Sequence, residues 1–202
     1  MLEKNFKDIM KKEGRLFIIS GPSGVGKGTL IKKILNSNPE ILYSISLTTR
    51  PKRENETEGK EYFFVSKEEF KKKIKENKLL EWAKVYGYYY GTPKEFIYKN
   101  IKKGKDIILE IDCQGAKKIR RTMKKNTVFI FIAPPNLKEL KNRLLKRGND
   151  SKKEILIRLK SAKNEMKEIK NYDYLVVNDE IEKASEILNS IIKAEKFRIR
   201  RE

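Results

Sequence analysis

The fold of this chain is decided by the stretch Gly21-Pro22-Ser23-Gly24-Val25-Gly26-Lys27-Gly28-Thr29. Apolar Leu16-Phe17-Ile18-Ile19 precedes it and Leu30-Ile31-Lys32-Lys33-Ile34-Leu35 follows, so the pattern predicts a strand, a glycine-rich loop and a helix. Three glycines permit a tight turn with inward N–H groups, while the helix N-terminus and Lys27 add positive charge. The alternative is a glycine-rich turn that binds nothing. The lysine in register favours a seat for nucleotide phosphates, with Gly21 to Thr29 as its candidate ligands.

The spacing from Gly21 to Lys27 fits the P-loop pattern, in which a Ser or Thr directly after the lysine contacts Mg²⁺. Gly28 occupies that position here, and the hydroxyl comes one residue later, at Thr29. Because Mg²⁺ readily keeps several of its waters, we expect contact through water in place of direct ligation by the loop. The residues leave the metal ligands unassigned.

The charge of the chain is strongly positive, with 48 Lys and Arg against 28 Asp and Glu and a net charge of +20 over 202 residues. This balance is typical of some nucleic-acid-binding proteins. The lysines, however, are spread along the whole chain between glutamates and form no single basic block. We therefore expect no nucleic-acid partner, although the field should attract polyanionic nucleotides. The length predicts a single domain.

Cys113 is the single cysteine, and the chain has no histidine. An intrachain disulfide and a Cys-His metal cluster are therefore excluded, and a reducing compartment fits. The first residues lack the apolar core of a signal peptide, and no apolar run is long enough to cross a bilayer. These observations predict a cytoplasmic protein without a membrane partner. With no extended apolar interface among the lysine-rich helices, we expect a monomer or a weak homo-oligomer.

Short apolar runs alternate with longer amphipathic stretches, which predicts the α/β class with helices on both faces of a parallel sheet. The predicted strands are 15–20, 106–111, 127–132 and 174–177, and the predicted helices include 137–146, 154–170 and 181–200. Capping boxes at Ser66 to Glu69 and Ser151 to Glu154 predict two helix starts.

The alternation breaks after residue 42, where short β-like runs at 42–46, 62–65 and 80–83 predict an inserted lobe with its own mixed sheet. The predicted organisation is one domain, with a core at 1–42 and 94–202, an insertion at 43–93 and a helical lid at 137–165. Within the insertion, Arg50 and Arg53 flank Pro51, so their guanidiniums can converge on one phosphate. The alternative, that both are solvated surface charges, stays open at this point.

From about residue 15 to residue 200 the chain resembles the guanylate kinase family. The resemblance rests on blocks in the family's order and spacing: Gly21 to Lys27, Thr48-Thr49-Arg50-Pro51 with Arg53, Gly59-Lys60-Glu61-Tyr62, Tyr89-Tyr90-Gly91-Thr92, Ile111-Asp112 with Gln114-Gly115, and Val177-Asn178-Asp179. It implies a P-loop parallel sheet flanked by helices, an inserted mixed α/β lobe that binds GMP, and a helical lid. It also implies transfer of the γ-phosphoryl group of ATP to GMP, and to dGMP, with Mg²⁺.

The resemblance implies that the GMP phosphate is held by Arg50, Arg53, Tyr62 and Tyr90. Guanidiniums and phenol hydroxyls supply the donors that a phosphate dianion needs. Tyr86 and Tyr88 are expected instead to pack in the core.

The guanine edge is assigned by the same resemblance to Glu81 and Asp112, with Ser46 and Thr92 nearby. Guanine presents donors at N1 and its 2-amino group, which match carboxylates. The unprotonated N1 of adenine would instead place a hydrogen-bond acceptor against the carboxylate oxygens, which are also acceptors. The alternatives are an exposed strand carboxylate for Glu81 and a strand-end residue near the lysine for Asp112. Glu110 points the same way as Asp112 under strand alternation, so either can also organise Mg²⁺.

Arg143 and Arg147 are four residues apart and share a helix face, and Arg158 follows on the next helix. The resemblance implies that they belong to the lid and surround the transferring phosphoryl group with Lys27; the alternative is ordinary solvated charges. Phosphoryl transfer needs positioning and charge neutralisation, so the lack of histidine does not argue against an enzyme.

Two alternatives to an active enzyme and one departure from the family pattern remain. A catalytically inactive module that binds protein partners would be expected to degrade the phosphate loop, whereas this chain keeps Lys27. The nucleic-acid alternative rests on net charge alone. Asn55 stands where the family pattern has glycine, and because asparagine tolerates a left-handed turn, we expect the loop to survive.

Overall fold

The computed structural model describes residues 13–123, 125–146 and 151–198. The strands in these ranges are β1 (Leu16–Ser20), β2 (Leu42–Ser44), β3 (Leu47–Thr48), β4 (Phe63–Phe64), β5 (Leu79–Val85), β6 (Tyr88–Pro93), β7 (Ile107–Glu110), β8 (Thr127–Ala133) and β9 (Tyr174–Val177). The α-helices are α1 (Lys27–Ser37), α2 (Lys67–Lys75), α3 (Lys94–Lys102), α4 (Cys113–Thr122), α5 (Leu137–Lys146), α6 (Lys152–Met166) and α7 (Ile181–Phe197), with a 3₁₀ turn at Ile169–Asn171.

A five-stranded sheet has the order β2-β7-β1-β8-β9. Its outer pairs are parallel, with Leu42 opposite Ile107 and Ile130 opposite Tyr174. Strands β1, β7 and β8 are almost wholly buried and apolar, as strands of a parallel sheet covered on both faces must be. The predicted parallel α/β sheet is confirmed.

Strand β2 corrects the assignment of the 42–46 run to the lobe. Leu42 to Ser44 pair in parallel with β7 in the five-stranded sheet, so this run is the outermost strand of that sheet. A run of three residues carries no periodicity that distinguishes one sheet from another.

A second, four-stranded sheet has the order β4-β3-β6-β5 and is mixed, as predicted. Strand β3 pairs in parallel with β4 and antiparallel with β6, and β5 pairs antiparallel with β6. Phe70 of α2 fills its core together with Leu47 and Leu79. Ser66 and Glu69 form the predicted capping box, which starts α2 at the position that brings Phe70 onto the sheet.

The prediction that Tyr86 and Tyr88 pack in the core is wrong. Tyr86 lies in the turn between β5 and β6 and is 45% exposed, and Tyr88 is the first residue of β6 and is 37% exposed. Tyr89 packs inward in their place, with its ring centroid 5.4 Å from that of Phe70. The tight turn at Tyr86-Gly87, with positive φ at both residues, sets which tyrosine of the run faces the core.

The described residues divide into two compact units. The first contains 13–16, 40–109 and 114–127 apart from 124, and so includes the four-stranded sheet. The second contains 17–39, 110–113, 128–146 and 151–198, and so includes the glycine-rich loop and helices α5 to α7. The predicted core, insertion and lid boundaries stay predictions. No helix in the described ranges has the length and apolar character needed to span a membrane.

Helices α5 to α7 follow the predicted stretches closely. The capping box of Ser151 and Glu154 is present at the start of α6. This helix ends at Met166, so the predicted 154–170 helix is too long, and a 3₁₀ turn takes up Ile169–Asn171.

We predict that Phe70→Ala lowers the free energy of unfolding by about 3–5 kcal/mol, because it leaves a cavity under the four-stranded sheet. The matched control is Phe63→Ala, since Phe63 is 39% exposed, and it should cost less than about 1 kcal/mol. Urea denaturation followed by circular dichroism measures both. Equal losses for the two variants would show that Phe70 does not anchor this core.

Candidate functional site

The glycine-rich loop lies in the second unit, between the end of β1 at Ser20 and the start of α1 at Lys27. Gly26 is the N-cap of α1 with φ of 96°, a left-handed conformation that favours glycine. A Cβ atom there would lie 2.5 Å from the Asn178 side-chain nitrogen, so a larger residue would displace the asparagine. The loop therefore requires glycine at this position for both conformation and space.

Lys27 is the first residue of α1, and its ammonium group contacts the backbone of the loop. Nζ donates hydrogen bonds to the Gly21 carbonyl at 2.8 Å and to the Pro22 carbonyl at 3.2 Å. The same nitrogen lies 3.8 Å from Oε1 of Glu110, the last residue of β7. A full positive charge and a helix N-terminus are thus combined in one loop.

Asn178, which follows β9, forms a hydrogen bond with the backbone of the loop. Its side-chain amide donates to the Val25 carbonyl at 2.7 Å, and Asn178 itself is only 3% exposed. A buried hydrogen bond of this kind fixes the backbone because breaking it leaves an unsatisfied carbonyl, at a cost of about 1–3 kcal/mol. The sequence resemblance included Asn178 within a motif but gave it no role. Its partner lies 153 residues away in sequence.

The structure brings two of the three predicted lid arginines to the loop. Arg143 of α5 donates to the Asn178 carbonyl at 2.9 Å and through Nε to Glu139 at 2.8 Å. Arg158 of α6 donates to Oγ of Ser23 at 2.8 Å. Arg147, the third, lies outside the described residues. The alternative that these arginines are ordinary solvated charges is therefore excluded for Arg143 and Arg158.

The space beside Gly28 determines whether a hydrated Mg²⁺ fits next to the loop. A Cβ atom at Gly28 would lie 4.0 Å from Glu110 Oε2, so the missing side chain leaves room next to a carboxylate. Among the residues that the structure describes, no group of three or more acidic, cysteine or histidine side chains forms a metal cage. One carboxylate with open space beside it suits a hydrated Mg²⁺ that takes its other oxygens from water and phosphates.

Burial changes the protonation of two groups in the second unit. It raises the pKa of the Cys113 thiol to about 12, so this thiol is neutral at physiological pH. Burial also raises the pKa of Glu165, although Ser161 donates a hydrogen bond to it at 3.0 Å. Neither group has the exposed, ionised character of a nucleophile.

In the first unit, Glu81 and Thr92 form a buried polar pair on the four-stranded sheet. They face each other across β5 and β6, and the Thr92 hydroxyl donates to the Glu81 carboxylate at 2.7 Å. Glu81 is 5% exposed and Thr92 is fully buried, so Glu81 is not an exposed strand carboxylate. Ser46 is buried in the same unit, directly before β3. Asp112 lies in the second unit, between β7 and α4.

Arg50 lies in a cluster with Glu56, Tyr62 and Tyr90. Its guanidinium donates to Glu56 at 2.6 Å, and its Cζ lies 5.5 Å from the centre of the Tyr62 ring. The rings of Tyr62 and Tyr90 meet edge to face with centroids 5.7 Å apart. The other oxygen of Glu56 accepts the backbone N–H of Arg53 at 2.9 Å. Arg50, Tyr62 and Tyr90 thus come together, and Glu56 ties the Arg53 backbone to them.

Glu56 is a positioning residue that sequence reasoning missed. Burial opposes its ionisation, but the hydrogen bonds and charges of Arg50 and Arg53 outweigh burial and hold its pKa below the ordinary value. Burial likewise opposes the charge of Arg50, yet Glu56 and Tyr90 raise the Arg50 pKa. The signal in the sequence was a glutamate six residues after Arg50 within one loop.

Comparison with known proteins gives a consistent result. The family model described as "Guanylate kinase" matches residues 13–195. The chain belongs to the guanylate kinase family. It is 51% identical over 192 residues to a guanylate kinase of Caldanaerobacter subterraneus subsp. tengcongensis, with 95% of this chain and 93% of that protein covered. It is 52% identical to one of Clostridium tetani, over 94% of this chain and 90% of the other.

A solved guanylate kinase from Anaplasma phagocytophilum shares the fold, with a TM-score of 0.80 and 36% identity over 93% of this chain and 88% of the other. The resemblance in the sequence to the guanylate kinase family is therefore confirmed. Nothing in the comparisons favours the inactive protein-binding module.

For this guanylate kinase family member we predict a pH-dependent role of Glu56 in stability. Because its pKa is lowered by folding, the stabilisation is present above the ordinary pKa of 4.5 and is lost as pH falls through the lower folded value. The wild type should therefore exceed Glu56→Gln in free energy of unfolding by a constant amount from pH 7 to about 5, and the difference should shrink below that.

Urea denaturation at a series of pH values measures this difference. The control is Glu54→Gln, at an exposed position in the same loop, which should change the free energy of unfolding at pH 7 by less than about 0.5 kcal/mol. A difference that grows as the pH falls would contradict the arrangement of Glu56 described above.

We also predict that Cys113 resists alkylation. Because the thiol is half-buried and desolvation raises its pKa to about 12, a thiol reagent at pH 8 should label the folded protein more than about 100-fold more slowly than the urea-unfolded protein. Absorbance of the released chromophore follows the labelling. Similar rates in both states would show that Cys113 is accessible and ionised.

Proposed function

We propose that this chain transfers the γ-phosphoryl group of ATP to GMP and gives ADP and GDP. The observation that carries the proposal is the buried Glu81–Thr92 pair, because a carboxylate in that setting is suited to guanine and to few other ligands. A carboxylate has about four acceptor positions, so Glu81 can accept from Thr92 and from guanine donors together. The family membership of the chain supports the same reaction.

The four-stranded sheet supports a continuous GMP site in the first unit. Thr92 and Tyr90 are two residues apart on β6, so their side chains share one face about 7 Å apart along the strand. The Thr92 hydroxyl donates to the Glu81 carboxylate, and the Tyr90 ring contacts the Tyr62 ring of the Arg50 cluster. We assign the base to Glu81, Thr92 and Ser46, and the phosphate to Arg50, Arg53, Tyr62 and Tyr90. The base contact of Asp112, which lies in the second unit, stays a prediction from the resemblance.

Specificity for guanine follows from the charge of Glu81. AMP would place its unprotonated N1 against the carboxylate, so two acceptors would face each other in a buried site. Leaving buried polar groups mispaired discriminates by about 10⁴ to 10⁵ in favourable cases. The Glu81–Thr92 pair offers no contact that distinguishes a 2′-hydroxyl, so we propose that dGMP is also accepted.

The glycine-rich loop is assigned to ATP. The N-terminus of α1 is a site that favours phosphate, and the Gly21 and Pro22 carbonyls hold the Lys27 ammonium at the same loop. When ATP binds, we expect the Lys27 ammonium to exchange these carbonyls for phosphate oxygens. Mg²⁺ would neutralise charge on the β- and γ-phosphates, and we propose Glu110 as the residue that holds it through water.

In the reaction, a phosphate oxygen of GMP attacks the γ-phosphorus of ATP. The new oxygen–phosphorus bond forms while the bond from the γ-phosphorus to the β,γ-bridging oxygen breaks, and ADP leaves with that electron pair. The chain contributes positive charge at the transferring group from Lys27, Arg143 and Arg158, and we include Arg147 on the basis of the resemblance. We propose that residues 137–165 act as the lid that excludes water.

The reaction is tested with a coupled assay of ADP formation on a panel of GMP, dGMP, AMP, CMP and UMP. GMP and dGMP should be turned over at least about 10³-fold more efficiently than AMP. Glu81→Gln should lose most GMP turnover, because the amide offers one acceptor and places a donor near guanine. Turnover of another monophosphate in the absence of GMP turnover would refute the assignment.

We predict that Lys27→Ala lowers kcat by about 10² to 10³ while leaving GMP affinity within about twofold, since Lys27 belongs to the phosphate loop alone. The control Lys32→Ala removes an exposed lysine from the same helix and should keep wild-type kcat. Steady-state kinetics and titration calorimetry with GMP give the two numbers. A wild-type kcat in Lys27→Ala would contradict the role proposed for this lysine.

A cytoplasmic location, a monomeric or weakly oligomeric state and the absence of a nucleic-acid partner stay predictions from the sequence. The presence of a single, half-buried cysteine supports a reducing compartment.

A further inference from the structure

A groove of about 440 Å³ lies between α5 and α6, within the proposed lid but on residues to which we assign no contact with either nucleotide. Its surface is mostly carbon, and its lining residues are Leu137, Lys138, Lys141, Leu156, Leu159, Lys160 and Lys163. The volume falls within the range of about 300–1,000 Å³ that is usual for binding sites.

Helix α6 has two distinct faces. One carries Ile155, Ala162 and Arg158, of which the first two are buried and the third hydrogen-bonds Ser23 of the loop. The other carries the groove residues at 156, 159, 160 and 163, the spacing of a single helical stripe. Leu156, at the N-terminal end of that second face, is 65% exposed. The groove is therefore separate from the contact between α6 and the loop.

The positive charge of the groove favours a negatively charged partner. Four of its lining residues are lysines and, among the described residues that line it, none is acidic. A second copy of the chain carries a net charge of +20 and would bring further lysines against these four, so a homodimer is disfavoured. The lining has no aromatic side chain on which nucleic-acid bases stack.

We propose that this groove is a docking site for an acidic amphipathic helix of another protein. The stripe from Leu156 to Lys163 is about 10.5 Å long, which is the distance between residues seven apart on an incoming helix. Such a helix places its leucine-like residues on Leu137, Leu156 and Leu159, and its flanking carboxylates meet the lysine ammoniums. The apolar contacts supply affinity, and the charges select the partner.

The probe is a fluorescein-labelled helical peptide of about 15 residues, with leucines at helical spacing on one face and glutamates beside them. Fluorescence anisotropy at about 150 mM salt measures its binding to the full chain. We expect a micromolar Kd that Leu156→Ser weakens by at least about tenfold. The matched control is Ile157→Ser, because Ile157 is 49% exposed at the next position but lies outside the groove, and it should change the Kd less than about twofold.

Charge is tested separately, which also covers a folding defect in Leu156→Ser. Lys160→Glu with Lys163→Glu should weaken the Kd at least about tenfold, whereas Lys71→Glu with Lys75→Glu, two exposed positions on α2 that do not line the groove, should have a much smaller effect. Circular dichroism checks that each variant is folded.

Several results would overturn the proposal. These are no binding of the acidic peptide up to about 1 mM, equal weakening by Leu156→Ser and Ile157→Ser, and equal binding of a peptide with lysines in place of the glutamates. Preferential binding of anionic phospholipid vesicles or single-stranded RNA, lost in Leu156→Ser, would likewise assign the groove to a different partner and refute a helix-docking site.

Discussion

The hydrogen bond from the buried Asn178 side chain to the Val25 carbonyl is the interaction on which the phosphate loop depends. It fits only because Gly26 has no Cβ, since a Cβ atom would lie 2.5 Å from the same nitrogen. The Asn178 carbonyl in turn accepts from Arg143, so one residue after β9 connects the loop to helix α5. The loop backbone is held in shape before a nucleotide arrives, which reduces the ordering cost of binding.

Carboxylates hold key arginines in both units. In the first unit Glu56 pairs with Arg50 at 2.6 Å and also accepts the Arg53 backbone, and in the second Glu139 pairs with Arg143 at 2.8 Å. Each carboxylate fixes the direction of a guanidinium. Transition-state charge is stabilised best by groups that need no reorganisation at the moment of reaction, so under the proposed assignments we expect these pairs to contribute to rate as well as to stability.

The sequence could predict what depends on neighbours along the chain. The glycine-rich loop, the buried strands and the helix starts at Ser66 and Ser151 follow from local periodicity and capping, and the structure contains them. What depends on distant partners was not predictable. Asn178 meets Val25 across 153 residues, and nothing in the run 42–46 shows that Leu42–Ser44 pairs with β7. The inward turn of Tyr89, in place of its neighbours, depends on the register of one hairpin.

The most direct measurement of the central claim is the binding of ATP and GMP to Asn178→Asp by titration calorimetry. The substitution keeps the shape but replaces the donor to Val25 with an acceptor, so ATP affinity should fall at least about tenfold while GMP affinity stays within about twofold. Asn100→Asp, which changes a similar but exposed bond to the Phe96 carbonyl, should leave both affinities unchanged. Wild-type ATP affinity in Asn178→Asp, or an equal loss for both nucleotides, would contradict the account.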